Sequence, residues 1–325
     1  MTETRQVKTV FPVHQQWLGW LGLYVLAILL AHQVINAAYG FDLLLVNGGI
    51  LLAALLVLSP DAKAQRLLLL ISALLVDWCV KVWLGAVPVW EAMWISLSLV
   101  MQAWLGEFLI RRFAPAARVP DTQGGVIGFS LFGVLIPAVL SALVPVIYSL
   151  ATAGFSASGE MMAYWLWWFL RRFSSLVLIA PLLVLMMRDW RERRMQVGLR
   201  MPALNREFVF MLIAGCVLAF ILFRVQNPAG RALATYSYLL IPMMVLTAVR
   251  LPLTNSLFIM LSVSLVSLWT DSLTAGGAGA SRRSMMGMSV FLFINCSIVW
   301  LLGVLIHERR QAFMHAQKMR EMYEM

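Results

Sequence analysis

The residues of this chain best placed to do chemistry are a few charges set in apolar sequence. Asp77 and Lys81 stand four residues apart in LLISALLVDWCVKVW, the acid-then-base order in which a carboxylate and an ammonium meet on one helix face. Arg171 and Arg172 follow tryptophans in WLWWFLRRF, and Glu91 opens another apolar run in VWEAMW. A charged side chain at bilayer depth costs roughly 2.5–3.5 kcal/mol on insertion scales, so each one kept there is a candidate functional group. Two carboxylates, an ammonium and two guanidinium groups roofed by tryptophans describe a pocket for a small anionic or zwitterionic ligand, with Arg171 or Arg172 as the forked donor. The plainer account is structural: Asp77 neutralises Lys81, and the arginines reach out to lipid headgroups over apolar stems.

Other chemistries find no support in the sequence. It contains no HExxH, no Gly-rich phosphate loop and no GxSxG, and His14, His32, His307 and His315 are scattered, so no catalytic residues, metal site or cofactor are expected. Cys79, Cys216 and Cys296 lie in apolar segments without CxxC or CxxH spacing and read as core residues. Glu107 should pair with Arg111. Asn47, Gln102, Asn295, Ser262 and Ser264 are expected to join helices by hydrogen bonds.

These charges need a frame. Hydrophobic residues make up 62% of the 325-residue chain and charged ones 12%, against roughly 45–50% and about 25% in ordinary soluble domains. Such a chain cannot cover itself with polar groups in water, so lipid must be its main solvent. That excludes a soluble enzyme, intrinsic disorder and nucleic acid as a partner, and predicts an all-α polytopic membrane protein. At roughly 20 apolar residues per crossing, about ten spans fall near residues 17–37, 42–58, 66–84, 89–110, 126–149, 161–187, 208–224, 233–249, 254–269 and 285–306. The spans at 42–58 and 254–269 are short enough to dip and return, which would leave eight crossings.

Topology accounts for the net charge of +10. Lys and Arg gather in cytoplasmic loops. Alternate surfaces here hold Arg5 and Lys8; Lys63 and Arg66; Arg111, Arg112 and Arg118; six arginines from Arg188 to Arg206; Arg250; and Arg309, Arg310, Lys318 and Arg320, eighteen of the 25 positives. Both termini are therefore expected inside a bacterial inner membrane. Residues 1–16 read as a cytoplasmic tail, 17–306 as the membrane unit and 307–325 as a helix leaving it. The first apolar stretch is too long for a signal-peptide core. Trp78, Trp83, Trp90 and Trp94, and again Trp165, Trp167 and Trp168, occupy expected interfacial belts.

No connection is long enough to form a soluble lobe, so recognition falls within the membrane, at its outer face or on partners. The basic run from Arg188 to Arg206 would suit lipid headgroups or a cytoplasmic partner. Past Ile306 the sequence turns polar, HERRQAFMHAQKMREMYEM, and Ala312, Ala316, Met319 and Tyr323 recur at spacings of four, three and four. That heptad seam predicts a parallel homodimer helix leading to an output domain in cis or on a partner. The plainer reading of it is an amphipathic tail on the membrane surface.

Four segments carry a resemblance. ILLAALLVLSP from Ile50 with the following RLLLLISALLVDWCVKVWLG, SLSLVMQAWLGEFLIRRF from Ser96, WWFLRRFSSLVLIAPLLVLMM from Trp167 and YLLIPMMVLTAVRLPL from Tyr238 together resemble the bacterial membrane-associated sensor domains of the first-described MASE class. The likeness runs from about Gly49 to Arg310, with Trp168, Arg171, Arg172, Pro181, Pro242 and Arg250 at motif positions. It departs from the family pattern at Val46, Asn47 and Gly48, and at Arg172, Ser174 and Ser175. Members of that family are fused to diguanylate cyclases, cyclic di-GMP phosphodiesterases or histidine kinases. The resemblance thus implies a sensory input module for an unknown small ligand, with Arg309 to Met325 as the start of the signalling helix. The alternative is a small-molecule or ion transporter using Asp77, Lys81, Glu91 and Arg172, against which stands the lack of a visible internal repeat.

Overall fold

The computed structural model describes residues 16–31, 46–59, 61–85, 87–152, 158–197, 206–224, 238–274 and 282–324. Among them every regular element is helical: α1 (Gln16–Ala31), α2 (Val46–Val57), α3 (Lys63–Trp83), α4 (Val89–Phe113), α5 (Gln123–Thr152), α6 (Ser158–Val197), α7 (Arg206–Arg224), α8 (Leu240–Arg250), α9 (Leu253–Thr274) and α10 (Arg282–Glu324). A short 3-10 turn, Pro115–Arg118, follows α4. Six of these helices, α4, α5, α6, α7, α9 and α10, are long and apolar enough to cross a membrane. Apolar side chains such as Leu67, Ile71, Leu75, Phe210, Ile213, Val217 and Ile221 face outward, as a surface bathed in hydrocarbon requires.

Helix lengths differ from the sequence expectation in three places. The stretch at 254–269 belongs to a helix of 22 residues, because the polar tail TDSLT continues the helix after hydropathy has fallen. It has the length and apolarity to cross. The expected sixth span extends through the basic run as far as Val197, making α6 a 40-residue helix. By contrast α2 has 12 residues, about 18 Å at helical rise, too short to cross alone. The expected first and eighth spans are represented by α1 and α8, and their residues 32–37 and 233–237 lie outside the described residues.

Why α2 is buried follows from its sequence. VNGGILLAALLV is apolar on all sides, and Asn47 to Leu56 are all buried, as a helix without a polar face requires. It packs against α1, α4 and above all α6. Gly49 permits that approach: a Cβ there would stand 2.5 Å from the Ser175 carbonyl oxygen and 2.7 Å from Ile179 Cβ. Around α2 and α6 lie α1, α3, α4 and α5, while α8 and α9 pack with α10, which itself rests on α6, and α7 packs on α9.

Prolines shape the long helices. Pro181 inside α6 has no N–H for the carbonyl of Val177, and the Cys296 thiol of α10 donates to that freed oxygen at 3.4 Å. In α5, Phe129–Leu135 forms a π-helical stretch just ahead of Pro137, a widening of the helix of the kind that absorbs an interrupted hydrogen-bond ladder. There Gly106 of α4 faces Gly133 so closely that a Cβ on Gly106 would meet the Gly133 oxygen at 3.0 Å.

Candidate polar site at the head of a buried helix

The start of α2 collects the polar groups of five helices. Gly49 N–H, which has no partner within the first turn of its own helix, donates to Ser175 Oγ of α6 at 3.1 Å. Asn47 Nδ2 donates to Asp77 Oδ1 of α3 at 3.1 Å, and Asp77 Oδ2 is paired with Lys81 Nζ one turn on. Asp77 is 1% exposed. Tyr24 of α1 is equally buried and within electrostatic reach of Asp77. The partial positive charge at a helix N-terminus favours a carboxylate nearby.

Arg172 forms the second half of the site. It is fully buried. Its Nη1 donates to Gln102 Oε1 at 3.1 Å and its Nη2 to Ser98 Oγ, while Gln102 Nε2 returns a bond to the Arg172 carbonyl at 3.3 Å. Ser98 and Gln102 lie one turn apart on α4, which is why one guanidinium engages both. The Arg172 guanidinium carbon sits 5.4 Å from the Trp168 ring centroid, and that of Arg171 lies 4.4 Å from Trp167 and 5.1 Å from Trp168. These cation–π contacts gain strength in a desolvated setting. Asp77 acts electrostatically on Arg172 across the site.

Of the residues expected from sequence, Asp77, Lys81, Arg171 and Arg172 are brought into one buried region under Trp167 and Trp168. Glu91 is not joined to them: it is half-buried in the first turn of α4 and makes no ion pair among the described residues. The arginines do not reach out to headgroups, since both are buried against protein. Sequence reasoning missed Tyr24, Ser98 and Ser175 and gave Asn47 and Gln102 only a joining role. The Gly48-Gly49 pair in an apolar helix and the one-turn spacing of Ser98 and Gln102 were the available signals. Trp83, Trp90 and Trp94 are exposed, consistent with an interfacial belt.

At the far end of α2 arginines take over. Its last carbonyls are met by Arg111 (Leu55 and Leu58 oxygens, 3.0 and 3.3 Å), Arg118 (Leu56, 3.3 Å) and Arg191 (Val57, 3.5 Å). Glu107 pairs with Arg111, as expected, and also with Arg66 at 3.0 Å. Arg188 pairs with Asp121 and Asp189, and Asp189 accepts from Thr254 at 2.6 Å. At this end α10 is fastened to two helix termini. Glu308 Oε1 accepts the Gln123 N–H at the start of α5 at 2.8 Å, and Arg310 Nη2 donates to the Val249 carbonyl at the end of α8 at 2.6 Å. Each charge suits the helix pole it meets. About two turns deeper, Trp300 donates to the Pro120 carbonyl at 3.4 Å and meets Phe129 edge-on at 5.5 Å, where the π-helical stretch begins.

Beyond that fastening α10 continues as helix to Glu324. Ala312, Ala316 and Met319 of the expected seam are exposed, as are Phe313, Met314 and Met322; the side chain of Tyr323 lies outside the described residues. Comparison of the chain with family models, with characterised proteins and with solved structures finds no match.

Proposed function

We propose that this chain is the sensory and anchoring module of a bacterial signalling protein, a multi-pass unit of the inner membrane with both ends in the cytoplasm. In this reading it passes a stimulus through α10 to an output domain of the diguanylate cyclase, phosphodiesterase or histidine kinase type. The course of α10 carries the reading. One unbroken helix of 43 residues begins in the bundle, touches α6 through Cys296 and, through Trp300, Phe129 of α5, and then leaves with exposed apolar side chains at heptad spacing. The motif resemblance and the segregation of positive charge support the same assignment.

Transmission then needs two bundle arrangements that a stimulus binds unequally. The polar site touches α6 through Arg172 and Ser175, and α6 touches α10. Glu308 and Arg310 hold α10 at two different helix ends, so a slide or turn of α10 must break both contacts together. The test is a fusion of residues 1–325 to a reporter cyclase with Glu308→Ala and Arg310→Ala introduced together. Output is expected to shift several-fold at unchanged membrane level; unchanged output would sink the relay. A transporter is the second reading, favoured by the ionic groups buried around α2. It predicts uptake of a small solute by sealed vesicles, lost in Arg172→Gln.

A further inference from the structure

We propose that the arginine-rich end of α2 holds an anionic phospholipid, with its phosphate among the guanidinium groups and its acyl chains along the exposed apolar face of α3 and α4. This goes beyond the sensory reading and rests only on the chain's lying in lipid. The carbonyls of Leu55, Leu56, Val57 and Leu58 are spread over about one helical turn. They are met by Arg111 of α4, Arg118 of the 3-10 turn and Arg191 of α6. Arg66 of α3 joins them through Glu107, which it shares with Arg111. Topology accounts for positive charge in cytoplasmic loops; it does not by itself bring guanidinium groups from four elements to one helix end.

Cations are in surplus there. Glu107 is the carboxylate that Arg66 and Arg111 share, and Arg118 acts on it electrostatically. The α2 terminus offsets only about half a unit of charge. Exposed Asp61 adds a carboxylate just past α2, while exposed Arg112 adds a further cation beside Arg111. Asp121 and Asp189 are taken by Arg188. Among the described residues Arg112, Arg118 and Arg191 form no ion pair with a carboxylate, and Arg66 Nε is buried without a hydrogen-bond partner. Converging arginines with donors to spare match the oxygens of a phosphate.

The surface beside these charges selects the kind of phosphate. α3 leaves this end and α4 arrives at it, and Leu67, Leu68, Trp104 and Phe108 are each 47–59% exposed. Trp104 stacks on Phe108 at 5.9 Å. Trp104, Phe108 and Arg112 follow at four-residue spacing along one face of α4. An apolar, aromatic surface that starts at a cationic cluster suits a molecule with acyl chains and an anionic head. A soluble phosphate would have no use for it.

The experiment uses the full chain purified in detergent, with native mass spectrometry following titration by phosphatidylglycerol or by phosphatidylcholine of the same chains. The expected result is saturable binding of phosphatidylglycerol in clear preference to phosphatidylcholine. Affinity is expected to weaken about fivefold in Arg118→Gln and roughly twentyfold in Arg112→Gln with Arg191→Gln, the scale set by each basic residue at an anionic headgroup. Arg118→Gln keeps a side-chain donor for the Leu56 carbonyl and the double variant alters exposed residues, so both are expected to fold, which the thermal midpoint checks. Arg250→Gln, which removes an exposed cation at the end of α8, is expected to leave binding unchanged. Equal affinity for the two lipids would overturn the proposal, as would an equal loss in Arg250→Gln, the mark of diffuse surface charge. Displacement of the lipid by inorganic phosphate, but not by chloride at the same ionic strength, would assign the arginines to a soluble anion and overturn the lipid assignment.

Discussion

Asp77 shows how a buried carboxylate is kept in a hydrocarbon-facing protein. Its two oxygens are divided between the Lys81 ammonium and the Asn47 amide, and the head of α2 adds a favourable field. Removing one member of such a pair leaves an uncompensated charge, at a cost of about 3–5 kcal/mol, whereas replacing both with apolar residues of similar volume is often neutral. Asp77→Leu alone is therefore expected to lower the thermal midpoint in detergent sharply, and Asp77→Leu with Lys81→Met to recover most of the loss. Equal midpoints for the single and double variants would contradict the pairing. The four-residue spacing made this pair legible in the sequence. The partners of Arg172 were not, because Ser98 and Gln102 lie 74 and 70 residues away and nothing local in a uniformly apolar chain marks which polar side chain will face a charge. Glu91 illustrates the converse: it shares a face of α4 with Ser98 and Gln102, but it stands seven residues, about 10 Å, from Ser98 along the helix axis, so height rather than face separates it from Arg172.

Among the elements, α2 is the one whose packing decides the site. It is held at one end by Ser175 and Asp77 and at the other by arginines on its last three carbonyls and that of the following Leu58, so it bridges the polar site and the fastened end of α10. Its close approach to α6 depends on Gly49. Gly49→Ala would force a Cβ to 2.5 Å from the Ser175 carbonyl oxygen, and overpacking of this kind costs typically about 1–3 kcal/mol. The expected outcome is a clear loss of thermal midpoint for Gly49→Ala and little change for Gly48→Ala; equal effects would mean that α2 and α6 are not in contact at this register. Hydropathy located the long helices among the described residues but misjudged ends. The polar tail of α9 and the basic tail of α6 remain helical because helix formation depends on backbone bonding and propensity, which a count of apolar residues does not register. For the same reason the short run at 42–58 gave no sign that α2 would lie wholly inside the bundle, a fact fixed by its glycines and its partners.

At the scale of the whole molecule the sequence yielded the class, an all-helical chain suited to lipid, but not the arrangement. Helices that are apolar on every side carry no stripe to say which face meets which neighbour, so the grouping around α2 and α6, and the seat of α10 on α6, emerge only from packing. That seat turns α10 into a rod whose inner part is fixed at Glu308 and Arg310 and whose outer part exposes Ala312, Ala316 and Met319. If this outer part pairs with a second copy, rotational phase must be transmitted along it. Seven inserted residues advance a coiled-coil seam by two turns and keep its face, whereas four shift it by about 40° and roughly 6 Å at ordinary helical geometry. Insertion after Arg310 spares the fastening and changes phase alone. In a reporter-cyclase fusion a seven-residue insertion there is expected to preserve signalling and a four-residue insertion to invert or abolish it, with membrane level constant in both. Output that ignores the length of the insertion would show that α10 serves as a tether, and the transmission of phase along it would have to be abandoned.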